Sequence, residues 1–162
     1  MTPLILGKRH INHLSSIVSQ LPPAENRNTQ NNGIRRYSYS VPTIAHLIGP
    51  KLIKFMSLRS NYTVNIEIVD GATDSHKHND SGTGRDAIYL VNIGAKPFTL
   101  LYTDPRVNTE YMHIVEVGTS FILSTTHPYT IINSMNDTPA IYFSVNAYEN
   151  FTNTVRRFQH QW

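Results

Sequence analysis

Two hydrophobic rhythms run along this chain, and the change from one to the other divides it. Across residues 8–20 and just beyond, Ile11, Leu14, Ile17, Val18 and Leu21 recur at three- and four-residue intervals. That spacing gathers them on one stripe and predicts an amphipathic helix closed by Pro22-Pro23. Residues 22–33 are polar and Asn-rich, the composition of a loop. Residues 37–41 alternate apolar and polar and predict a short strand. After Pro42, Thr43 is a candidate N-cap for a helix with Ile44, Leu47 and Ile48 on one side. Gly49-Pro50 interrupts it, and Leu52, Ile53 and Phe55 predict a second helical piece.

From Asn61 the period becomes two. Tyr62, Val64, Ile66 and Ile68 alternate with Thr63, Asn65, Glu67 and Val69, which predicts a long half-buried strand. Further apolar runs follow at 87–93, 98–102, 111–117, 121–123, 129–132 and 140–145, separated by turn signals such as Asp70-Gly71, Gly94, Asp104-Pro105 and Gly118. Seven or eight short strands with no helical pattern between them predict a β-sandwich or barrel. Residues 148–161 form a candidate C-terminal helix. The expected organisation is a single domain: helical support at 1–60, a β core at 61–147 and a C-terminal extension at 148–162.

Composition narrows the classes. At 162 residues the chain can bury a core that folds unaided, and its 40% hydrophobic and 15% charged residues suit a globular protein rather than a disordered one. No apolar run approaches a membrane span. Residues 1–13 lack the long uncharged core of a secretory signal, so an intracellular setting is expected. The absence of cysteine excludes disulfides, thiolate metal sites and a Cys nucleophile. The net charge of +3 comes from scattered basic residues. The pairs Arg35-Arg36 and Arg156-Arg157 read as solvated charge, and nucleic-acid contact is not indicated.

The chemistry concentrates in Ser75-His76-Lys77-His78-Asn79-Asp80. In an extended segment successive side chains alternate faces, so His76, His78 and Asp80 would share one. Two imidazoles and a carboxylate suit a divalent first-row metal, and His127 is a distant candidate to join them. His10, His13, His46, His113 and His160 read as surface or satisfied core residues.

His78-Asn-Asp80, a Gly-containing turn and then Arg85-Asp-Ala-Ile-Tyr-Leu-Val-Asn92 resemble the His-x-Asp segment of the Fe(II)/2-oxoglutarate-dependent oxygenases, in particular the prolyl-hydroxylase-like branch. Val115-Glu-Val-Gly118-Thr-Ser-Phe-Ile-Leu123 followed by His127 is similar to that family's distal histidine segment, 49 residues beyond His78. The resemblance covers most of the chain, from Tyr62 to Val145. It implies a mainly β, double-stranded β-helix (a jelly roll, cupin-like) with N-terminal helices. It also implies Fe(II) held by His78, Asp80 and His127, with 2-oxoglutarate and O₂ as small-molecule cosubstrates and hydroxylation of an unidentified substrate as the outcome. A second register, His76, His78 and His127, is the three-histidine arrangement of cupin-like proteins. The family sets an Arg or Lys about ten residues after the distal histidine, yet residues 128–153 hold neither. Lys96, Arg85 and Arg59 are the other candidates to pair with the far carboxylate, while Tyr62 and Asn65 correspond to pocket-lining positions. A cupin-like metalloprotein that does not use 2-oxoglutarate and a non-catalytic jelly-roll protein are the competing expectations.

Overall fold

The computed structural model describes residues 4–21, 26–29, 34–69, 86–104, 106–126, 129–133 and 138–161; at 26–29, 34 and 159–161 only the backbone is described. The N-terminal part holds α1 (Lys8–Ile17) with a 3-10 turn at Val18–Gln20, β1 (Asn26–Thr29), β2 (Ile34–Ser40), α2 (Val41–Ile48) and α3 (Pro50–Phe55). The strands β3 (Thr63–Val69), β4 (Ala87–Asn92), β5 (Phe98–Asp104), β6 (Thr109–Val115), β7 (Ser120–Ser124), β8 (Thr130–Ile132) and β9 (Ala140–Asn146) follow, and α4 (Phe151–Gln161) closes the chain.

The strands form two antiparallel sheets, β1-β2-β3-β9-β4-β7 and β6-β5-β8. This is a mainly β jelly roll with N-terminal helices: the period-two run predicts the β class, and the resemblance implies the jelly roll. Because strand side chains alternate faces, the larger sheet has two apolar surfaces and builds two cores. Its outer face presents Val64, Ile66, Tyr89, Val91, Phe143 and Val145 to the helices, among them Leu14, Ile44, Leu52 and Phe158. Its inner face presents Ile88, Leu90, Phe121, Leu123 and Tyr142 to Phe98, Leu100 and Ile131 of the smaller sheet. Each fully buried side chain of this size contributes about 1.5–3 kcal/mol.

Gly118 joins the N-terminal segment to this body. Its φ of 83° lies in the left-handed region, and a Cβ there would come within 2.6 Å of Ile11 Cδ1 and 2.8 Å of Leu6 O. Only glycine fits so close an approach.

Three local expectations are corrected. Within the expected loop at 22–33, Asn26–Thr29 forms a strand, paired with Arg35–Ser38 of β2. An edge strand of this kind is held by backbone pairing and needs no apolar rhythm. The N-cap of α2 is Ser40, three residues before Thr43, and the two hydroxyls meet at 2.7 Å. The third correction concerns β3, which is buried on both faces rather than half-buried, with Asn65 at 7% and Glu67 at 1% exposure. Its polar residues face the interior of the jelly roll instead of water.

Candidate functional site

The candidate ligands His76, His78, Asp80 and His127, and with them Arg85, lie outside the described residues. Asp86, next to Arg85 and six residues after Asp80, is described, as are Ser124–Thr126 just before His127, and these meet. The Thr125 N–H donates to the Asp86 carbonyl at 2.8 Å, and Ser124 Oγ donates to Asp86 Oδ2 at 2.8 Å. Asp86 Oδ1 accepts the Phe151 N–H at 3.0 Å, which ties the same point to the first residue of α4. The residue after Arg85 and the residues before His127 therefore share one hydrogen-bonded junction at the end of the β4–β7 pair, where Ala87 pairs with Ser124. Among the described residues no three His, Asp or Glu side chains converge.

The remaining predicted site residues separate. Asn65 faces the interior, and its Oδ1 accepts Ser38 Oγ at 2.5 Å. Tyr62 packs in the outer core beneath the helices. There its hydroxyl donates to Glu149 and accepts from Arg157 Nη2 at 3.1 Å. Burial, then the bond to Glu149, drives the Tyr62 hydroxyl far above its ordinary value, so it stays protonated. Arg59 is bound to the same carboxylate at 2.9 Å. Tyr62 and Arg59 thus belong to a clasp between the α3–β3 connection and α4. Lys96 lies in the β4–β5 turn, where its carbonyl accepts Asn92 Nδ2 at 3.0 Å. That turn follows the end of β4 opposite Asp86.

A polar row runs inside the jelly roll. Strand register sets Arg36 beside Glu67 and Glu67 beside Tyr142, across three adjacent strands. Arg36 Nε donates to Glu67 Oε1 at 2.6 Å, so Arg36 is bound to a buried carboxylate rather than solvated. Arg157, held by Glu149 at 3.2 Å with four-fifths of its side chain covered, departs from the solvated reading in the same way. Glu67 Oε2, Tyr142 Oη and Ser144 Oγ are buried polar atoms of this row. Burial first, and then the Glu67 charge, pushes the hydroxyls of Tyr129 and Tyr142 far up, so both remain neutral donors. The signal for this row was present in the polar alternates of β3, Asn65 and Glu67.

No protein-family model matches the chain, and no curated protein matches it by sequence. Solved structures do match in shape. Oxalate oxidase in complex with glycolate aligns at a TM-score of 0.52 and 12% identity, covering 79% of this chain and 59% of that one. Vicilin from Corylus avellana (hazelnut) aligns at 0.53 and 12%, covering 86% and 36%. A mutant of Bacillus subtilis oxalate decarboxylase aligns at 0.51 and 9%, covering 78% and 28%. This chain thus spans less than two thirds of the length of each. These neighbours are cupin-fold proteins, and the likeness gives this chain a cupin-type jelly roll.

Proposed function

We propose that this protein is a cupin-fold metalloprotein whose divalent metal is held by His127 together with ligands from the His76–Asp80 segment. One observation supports the reading: the junction of Asp86 with Ser124 and Thr125 sets the chain six residues after Asp80 beside the chain two residues before His127. The donor set fits the metal, since neutral imidazole and carboxylate together suit Fe(II) or Mn(II) and no competing thiolate is present. His78, Asp80 and His127 are the first choice of ligands; His76, His78 and His127 are the alternate register.

In its specific form the reading is an Fe(II)- and 2-oxoglutarate-dependent oxygenase, with the metal supplying the site at which O₂ is activated. The work left to the chain is to bind a small acid, exclude water and hold protons in place. The apolar inner wall of Ile88, Leu90, Phe121 and Leu123 keeps water out. Arg36 is bound to the buried Glu67 carboxylate, while Tyr129 and Tyr142 keep neutral hydroxyls. A small carboxylic acid also agrees with the neighbours, two of which are named for oxalate and one of which holds glycolate.

The test is metal content and binding stoichiometry of the purified protein, followed by turnover assays with 2-oxoglutarate and with oxalate. One metal per chain, lost in His78→Ala and His127→Ala, is expected. Succinate formation would support the oxygenase form. Metal retention with oxalate consumption alone would restrict the reading to the cupin form. Absence of metal binding would overturn both and leave a jelly roll that binds or builds without chemistry.

A further inference from the structure

The cations of this chain are scattered, but its acids are not. Residues 1–66 hold eight of the fourteen Lys and Arg and one of the eleven Asp and Glu. That part of the chain supplies α1, α2 and α3, which cover the outer face of the larger sheet, away from the jelly-roll interior. Where α1 lies against the corner between α2 and α3, the helical layer opens into a groove of about 390 Å³. Sites for small organic ligands span about 300–1,000 Å³. Ile48, Pro50 and Leu52 give the groove an apolar floor, and Arg9, His10, His13 and Lys51 complete its walls. Gly49 makes the corner with a φ of 91°, and a Cβ built there would meet nothing within 4 Å, so the groove is open at that point. His13 pins the two sides together, its Nε2 donating to Leu47 O at 2.9 Å and to Ile48 O at 3.1 Å. Arg9 and Lys51 are exposed, no described Asp or Glu lines the groove, and among the described residues neither cation is ion-paired.

We propose that this groove binds a small amphiphilic anion, an alkyl carboxylate whose chain lies on Ile48, Pro50 and Leu52 and whose headgroup meets Arg9 and Lys51. Charge complementarity selects the headgroup, because cations with no acid beside them attract an anion and oppose a cation. The apolar floor selects the body, since an inorganic anion would leave that surface in water. Arg9 comes from α1 and Lys51 from α3, and the His13 bonds hold α1 to the end of α2 before any ligand arrives. A preformed site of this kind spends little binding energy on ordering itself. The groove lies on the opposite face of the larger sheet from the jelly-roll interior, so its occupancy neither needs nor reports a metal.

The experiment is isothermal titration calorimetry of the full chain with decanoate, below its micellar range and at physiological salt. One decanoate per chain is expected, with affinity rising up to roughly fourfold for each methylene added from hexanoate upward. Acetate, which lacks the chain, and decyltrimethylammonium, which reverses the charge, should not bind. Arg9→Glu and Lys51→Glu should each weaken decanoate at least about tenfold, with unchanged far-UV spectra because both positions are exposed. Arg156→Glu makes the same change of charge at an exposed position on α4 and should leave the affinity unaltered, since salt screens a charge outside the groove. The proposal is overturned if decanoate does not bind, if affinity ignores chain length, or if Arg9→Glu and Lys51→Glu bind as the wild type does. Association of the chain with phosphatidylglycerol vesicles without decanoate binding also overturns it, and would make the basic helical face a membrane-contacting surface.

Discussion

Glu67 carries a carboxylate into the interior of the jelly roll with 1% of its surface exposed, and its bond to Arg36 makes that placement tolerable. Removing one member of a buried pair costs more than the pair contributes, because the other charge keeps its desolvation penalty. Arg36 retains about a fifth of its side-chain exposure, so Glu67→Ala should cost about 3 kcal/mol, the low end for such pairs. Replacing both residues with Leu should cost less than the sum of the single changes. Urea unfolding of the single and double variants reads both numbers, and strict additivity would show that the two charges do not act as a pair. His113 supplies a pH effect of definite sign. Burial lowers its imidazole below the ordinary value, so as pH falls the unfolded chain takes up the proton first. The native state then loses stability from about pH 6.5 downward until the folded imidazole also protonates. The melting temperature of His113→Gln should therefore fall less than that of wild type across this window. Parallel pH profiles would refute this.

At the scale of elements, α4 clamps the outer core. Phe158 is 1% exposed and meets Tyr89 edge-on at 5.3 Å, while Asn150 Oδ1 caps the helix by accepting the Thr152 N–H at 3.0 Å. Phe158→Ala should cost about 3–5 kcal/mol in chemical unfolding; a loss below about 1 kcal/mol would mean that the helix is not part of the cooperative unit. Long rhythmic elements such as α1 and β3 were legible in the sequence because periodicity reports which residues share a face. It does not report what covers that face. Thr63, Asn65 and Glu67 alternate with apolar neighbours as they would on a solvated strand, yet β2 and β9 pair on either side and the interior lies beneath. The short strand β1 carries no rhythm, since backbone pairing with β2 alone defines it.

For the whole molecule, the decisive feature is that two segments far apart in sequence leave the β4–β7 pair at one junction. The local spacing of His76, His78 and Asp80 was legible because alternation is a property of neighbours. Which distant cation or acid faces them is decided by strand order, and that is why Lys96 and Tyr62 could be named from the sequence without being gathered. If the metal reading holds, the ligands on both segments are joined only in the folded state, so metal binding must stabilise folding. At a free metal concentration one hundred times the dissociation constant, the gain is about 2.7 kcal/mol. A domain of this size shifts its melting temperature by about 2–4 °C per kcal/mol. Chelation should therefore lower the melting temperature by roughly 5–10 °C, and Fe(II) or Mn(II) should restore it. His127→Ala should melt near the chelated value and ignore added metal, because one side of the site is gone. If the wild type melts at the same temperature with chelator and with metal, the two segments are not linked by a cation, and the Asp86 junction is structural only.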